Sequence, residues 1–408
     1  MNGAHLRQKA LIPLLCGIFA LLVLVGCVKH TEGYQSVKLS DNIPVNSSSA
    51  RNPVIIIHGL FGAELLLPDG EKIWGKFSNQ RIADKKILSL LASDNLKPGS
   101  ILTHSEVTPG NITVYRFKNY FLLINALRKF GYAEQDIIPF AYDWRRSVPE
   151  NAAEFHKFLQ AKSRLFPPEC RFDIIAHSMG GLIMRYYLQY GTQKLTAKVI
   201  PGAADTEYKK ISKVFIFGTP NCGYADTVAE LCSGLAFVPA SLKYPPHLLL
   251  NFKSYFCMFP AYDNAVIDKT SGKAVDVYAP EFWEKLKMFR NAPQEVLTKL
   301  HENLALARNF RRAMAEPMKP VRGVKLYLFA GNSFDTVKQY SFDAGACRLV
   351  PLRYGAGDGK ILFESALAKN LIPWDGVYVF GASHMGLFVR NDALRNLDLL
   401  LSGGKENE

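Results

Sequence analysis

Ser178 sits in IIAHSMGGL (174–182), where β-branched residues give way abruptly to helix formers. A chain that turns from strand to helix on one or two residues needs small neighbours, and Ala176, Gly180 and Gly181 supply them. The hydroxyl is then presented above a sheet edge, beside the free N–H groups of a helix start. Alone, a serine is too weak a nucleophile at neutral pH. It needs a base, a group that orients the base, and donors for a developing oxyanion. Donors are offered by HGLFG (58–62), a Gly-rich loop after an apolar run, through the N–H of Leu60, and by the N–H of Met179 after the serine. Nine histidines compete as base. His5 and His30 precede the folded region, while His104, His156, His247 and His301 have no strand end beside them. His58 belongs to the Gly-rich loop and His177 to the turn itself. His384, in GASHMGL directly after the last apolar run, can swing over a sheet edge to the hydroxyl. For the acid, Asp335, Asp358 and Asp375 all keep the order Ser…Asp…His, and spacing leaves the choice between them open.

The elements that must hold these residues are legible as apolar runs bounded by turn formers: PVIIIHG (53–59), FDIIAHS (172–178), KVFIFGTP (213–220), VKLYLFAG (324–331) and GVYVFGASH (376–384). Each lacks polar alternation, as strands covered on both faces do. Amphipathic segments between them, such as 120–132 and 151–166, predict helices, and alternation of the two predicts a mostly parallel sheet with helices on both faces. From about Asn221 to Pro280 the rhythm breaks into an aromatic-rich, irregular stretch, the pattern of an inserted lid. After it, 291–314 predicts a helix with Asn291 as cap and Pro293 in its first turn.

Six segments, AYDWRRS (141–147), IIAHSMGGL, GTPNCGY (218–224), GVKLYLFAGNSFDT (323–336), GAGDGK (355–360) and GASHMGL (381–387), follow in the order of the lecithin:cholesterol acyltransferase and lysosomal phospholipase A2 family of α/β-hydrolases. The chain resembles that family over about residues 53–390. The resemblance implies an α/β-hydrolase fold with a lid and assigns the acid to Asp358 and the base to His384. Lys360 and Ile361 stand where the family has Thr-Val, and an HG start replaces its common PG. The chemistry implied is acyl transfer on a lipid ester, a phospholipid first, by hydrolysis or to an alcohol acceptor, without metal or organic cofactor. A triacylglycerol lipase or carboxylesterase would share the same residues; a membrane-anchored lipid-binding scaffold on a dead hydrolase fold is the non-enzymatic alternative.

The chain of 408 residues is 48% hydrophobic and 21% charged, which excludes a disordered protein, and its formal charge is +13. Basic residues are scattered among apolar segments rather than gathered into a stripe, which favours a phospholipid surface over nucleic acid. Arg7 and Lys9 followed by an apolar run ending in LVGC (24–27) read as a signal peptide, and the Cys resembles a bacterial lipobox. The expected organisation is a lipoprotein signal at 1–26, lipidated Cys27 with a tether to 52, hydrolase core at 53–220, lid at 221–290 and core again at 291–408. The protein is then expected at the bacterial cell envelope, held on a membrane. Of the five remaining cysteines, Cys222 and Cys232 form the most local candidate pair, and no CxxC or Cys/His spacing suggests a metal.

Overall fold

The structure is a computed structural model that describes residues 51–75, 84–107, 115–118, 120–196, 198–202, 207–236 and 243–403. The expected signal peptide, Cys27 and nearly all of the tether lie outside the described residues. Arg51 and Asn52, assigned to the tether, already belong to the folded body: Arg51 pairs with Asp398 at 2.7 Å and Asn52 donates to Asp173.

Strands β1 (Val54–Ile57), β2 (Ile137–Phe140), β3 (Phe172–His177), β4 (Ile211–Phe217), β5 (Lys325–Gly331), β6 (Phe334–Asp343), β7 (Arg348–Gly357) and β8 (Gly376–Phe380) carry the architecture. Six of them form one sheet in the order β8-β5-β4-β3-β1-β2, with every neighbouring pair parallel. In β1 the side chains alternate between two cores. Ile55 and Ile57 join one apolar cluster, and Val54 and Ile56 the other. This two-sided burial explains why these strands read as unbroken apolar runs. On the second face lie α1 (Phe121–Lys129) and, at the C-terminus, α6 (Asn391–Leu401); against the first pack α2 (Val148–Ser163), α3 (Met179–Tyr190), α4 (Asp226–Ser233) and α5 (Gln294–Ala315). Helix α2 is started by a capping box between Ser147 and Glu150. The start of α5 differs from the expectation: Pro293, not Asn291, is the residue at the cap, its carbonyl accepting from Val296 and Leu297.

The chain enters at β1, adds β2 on one side and β3 on the other. The C-terminal ends of β1 and β3 therefore flank a topological switch point, where open parallel sheets place their ligands. Residues 58–62 and Ser178 emerge there.

Two features were not read from the sequence. Strand β2 is short and contains Pro139, which fits only an edge position, and β2 is an edge. The hairpin β6–β7 forms a separate three-stranded sheet with Val266–Asp268. The described part of 221–290 holds short helices and strands, and most of its aromatics are core residues: Phe252, Tyr255, Phe256, Phe259 and Trp283 are all buried.

Candidate active site

Ser178 occupies the turn between β3 and α3 with φ 53° and ψ −124°, a backbone conformation that costs a non-glycine residue about 1–3 kcal/mol. The surroundings hold it there. Its N–H donates to the Phe217 carbonyl at 2.8 Å, and its carbonyl accepts from the Thr219 hydroxyl at 2.8 Å and from Gly181 N–H at 3.0 Å. The glycines behind it are required by space. A Cβ on Gly180 would lie 2.6 Å from the His58 carbonyl oxygen, and one on Gly181 only 1.9 Å from Thr219 Oγ1.

The structure brings three side chains, far apart in the chain, into one line at the sheet edge. His384 Nε2 is 3.0 Å from Ser178 Oγ, and His384 Nδ1 is 2.7 Å from Asp358 Oδ2. Asp358 is buried, and its other oxygen accepts the N–H groups of Lys360 and Ile361 at 2.9 and 2.6 Å. Those two bonds leave Oδ2 aimed at the imidazole. The backbone closes the same unit, with His384 N–H donating to the Asp358 carbonyl at 2.9 Å. The other two candidate acids are elsewhere. Asp335 is exposed on β6, and Asp375 accepts from Leu326 N–H and pairs with Lys325.

The loop 58–62 lies directly beside Ser178, since a Cβ on Gly59 would approach Ser178 Cβ to 2.9 Å. Among the described residues the N–H groups of Leu60 and Met179 make no hydrogen bond, so both are available as donors. What fixes this loop was only partly legible. Tyr142 donates to the His58 carbonyl at 2.6 Å and stacks on the His58 ring at 3.9 Å between centroids. Trp144 donates through its indole to Ala63 at 3.0 Å, and Phe61, at φ 64°, packs edge-on against it. Arg145 pairs with Asp143 through two bonds of 2.9 and 2.7 Å and donates to the carbonyls of Leu91 and Ser93. Tyr142 and Trp144 thus brace the Gly-rich loop, while Asp143 and Arg145 tie the same motif to residues 91–93.

One further residue of the site, Tyr120, carried no sequence signal. Gly59 N–H donates to the Tyr120 hydroxyl at 2.7 Å, and that hydroxyl lies 2.8 Å from His177 Nδ1. The Tyr120 hydroxyl thus joins the Gly-rich loop to the residue before the nucleophile through one oxygen. Burial, with the neighbouring His384 adding to it, pushes His177 well below the ordinary histidine range, and burial lowers His58 to about 4. Both rings are neutral at physiological pH and are held by local bonds, His58 through both nitrogens and His177 through Nδ1. Among the described histidines, His384 is the one hydrogen-bonded to the serine.

Lys360 ties the acid turn to α4. Its ammonium is 2.7 Å from Glu230 and 3.2 Å from Asp226, and lies over the Tyr224 ring. Burial pulls its pKa down, yet these partners outweigh it and raise the group well above its usual value. Among the described residues no group of three or more histidine, cysteine or carboxylate side chains is placed to hold a metal ion. Cys222 and Cys232 are both free thiols.

A parallel sheet carrying a strained serine at this turn, with its imidazole and carboxylate on later strand ends, is the α/β-hydrolase arrangement. Residues 103–346 match the family model of lecithin:cholesterol acyltransferase. The chain belongs to that family. It is 24% identical over 296 residues to lysosomal phospholipase A and acyltransferase of Bos taurus, an alignment covering 69% of this chain and 67% of that protein. Its rat counterpart (Rattus norvegicus) is 23% identical over 257 residues, covering 61% of this chain and 56% of the relative. Among solved structures, one described as the Tle4–Tli4 complex aligns over 87% of this chain and 98% of its own with TM-score 0.57 at 12% identity, a likeness of fold.

Proposed function

We propose that this chain is a serine acyl hydrolase or acyltransferase of lipid esters, with phospholipid as first substrate. The hydrogen-bonded line Ser178–His384–Asp358 is the observation that carries the reading, and membership of a lipid acyltransferase family supports the substrate class.

His384 Nε2 takes the hydroxyl proton as Ser178 Oγ bonds to the ester carbonyl carbon. The carbonyl electrons move to oxygen, and the N–H groups of Leu60 and Met179 stabilise that charge, each worth about 3 kcal/mol. The intermediate collapses, the C–O bond to the alcohol breaks, and the leaving oxygen collects the proton from His384. Water or a second alcohol then attacks the acyl-serine by the same steps in reverse. Asp358 holds the imidazole in the tautomer with Nδ1 protonated throughout.

The segment 221–290 acts as the lid in this reading; Phe252 and Tyr255 pack against Phe61 on the Gly-rich loop, which supports coupling between the two. The N-terminal pattern supports attachment through lipidated Cys27 at a bacterial envelope membrane, and Cys27→Ser should move the protein into the soluble fraction. The test of substrate class is turnover on a panel of purified phospholipids, acylglycerols and simple esters, each with and without an alcohol acceptor. Turnover of phospholipid above the other two supports the proposal. Preference for acylglycerols or simple esters would replace it with a lipase or carboxylesterase.

A further inference from the structure

Among the described residues, eight large apolar side chains stand at least one-third exposed, and six of them fall in two short stretches. Phe334, Val350, Leu352 and Tyr354 lie on the β6–β7 hairpin; Met385 and Val389 lie in the loop after His384. The two stretches adjoin. Phe334 opposes Gly357 and bridges to Asp358, while a Cβ on Gly381 would come within 3.3 Å of Ser333 Oγ. Phe334, Met385 and Val389 therefore stand beside Asp358 and His384, and Val350, Leu352 and Tyr354 continue from them along the hairpin. Single exposed apolar residues are ordinary on a soluble protein, but six that run from a functional site along one hairpin mark a surface that meets something.

The composition indicates what it meets. Strand β7 is an edge, and residues 350–354 along it are all exposed. Arg348 and Arg353 are exposed on the same strand and make no ion pair among the described residues. Of the hairpin's acids, Asp343 is neutralised by Lys269, leaving Asp335; Lys338 is taken up by Glu364. Exposed Val, Leu and Tyr interleaved with free arginines suit an interface of apolar chains beneath anionic headgroups. A second copy of the chain suits it less. Pro351 removes an N–H from the middle of the edge, and β7 pairs with β6 through register shifts that interrupt its regularity, both of which oppose strand-to-strand addition.

We infer that the β6–β7 hairpin and the loop after His384 form the face that this chain lays on an anionic lipid surface, so that a lipid ester passes from the bilayer to Ser178 without crossing water. The inference rests on the lipid-ester reading above and names where its substrate arrives.

The test uses the full chain with vesicles of phosphatidylglycerol and phosphatidylcholine, with Leu352→Trp as reporter and brominated acyl chains as quencher. Leu165→Trp is the control, because Leu165 is exposed between α2 and the start of β3, at the sheet edge opposite Ser178. Emission from Leu352→Trp should shift to the blue and fall about twofold with brominated chains, more with phosphatidylglycerol than with phosphatidylcholine, while the control should not respond. The double variant Leu352→Ser/Tyr354→Ser should lose about tenfold in turnover on vesicles and keep its rate on a dissolved short-chain ester. Three results would each overturn the inference: no quenching at position 352, equal quenching at 165, or a wild-type dimer that the double variant dissociates. Quenching needs no turnover, so an inactive protein that is still quenched would sink the catalytic reading and leave this face standing.

Discussion

Tyr120→Phe removes a single oxygen that touches neither substrate nor any of the three aligned side chains, yet it should be felt in catalysis. The hydroxyl accepts from Gly59 N–H at 2.7 Å and meets His177 Nδ1 at 2.8 Å, and all three groups are buried. Phenylalanine fills the same volume and orphans a backbone donor and a ring nitrogen. Each orphan costs about 1–3 kcal/mol. The native loop can recover part of that cost by turning Gly59 away, and Leu60, the next residue, turns with it. A donor at an oxyanion is worth about 3 kcal/mol, so a partial misalignment should lower kcat by about ten- to a hundredfold. KM should hardly change, because the donor acts on the tetrahedral intermediate more than on bound ester. The assay is steady-state turnover of a dissolved chromogenic ester, with the thermal midpoint measured alongside. A normal kcat in a variant whose melting temperature alone has dropped would refute the reasoning and leave Tyr120 a packing residue.

Asp358→Asn should cut kcat by about 10³–10⁴ by favouring the wrong imidazole tautomer, whereas Asp335→Asn should leave it within a few-fold; the reverse ranking would reassign the acid. Gly181→Ala should fail to accumulate as folded protein, because its methyl group collides with Thr219, and normal yield and melting would contradict the packing described for the turn. Stability should fall with acid. His58, at about 4 in the fold against 6.5 unfolded, lets the unfolded chain take up a proton first, a loss of roughly 3 kcal/mol as pH drops from 6.5 to 4, and His177 acts in the same direction. Asp173, raised by burial to about 6 from 3.8, opposes them with stability that is lost as pH rises through that range. Two histidines against one carboxylate leave a net uptake of about one proton on unfolding near pH 5, read as a denaturation midpoint that declines below pH 6.5; a flat or rising midpoint would contradict it.

The central strands were legible because burial on both faces leaves them uniformly apolar, and Ser178 because only small residues allow so sharp a turn. His384 followed from its place after the last strand. Asp358 did not follow from spacing: three carboxylates kept the right order, and only resemblance separated them until the fold aligned one with the imidazole. Strand β2 escaped notice since IIPF is short and holds a proline, which edge position alone makes tolerable. Strand β7 was hidden by its exposure, because a strand with little burial carries no regular apolar pattern. Tyr120 and Lys360 meet partners 57 and 130 or more residues away, and a contact of that range leaves no local pattern to read.

The decisive measurement is the site of covalent labelling by a fluorophosphonate, located by mass spectrometry of the digested protein. One adduct on the Ser178 peptide, lost in Ser178→Ala and strongly slowed in His384→Ala, is what the geometry requires. Absence of an adduct on the folded wild-type chain, or labelling that survives in Ser178→Ala, would show that this serine is not the nucleophile.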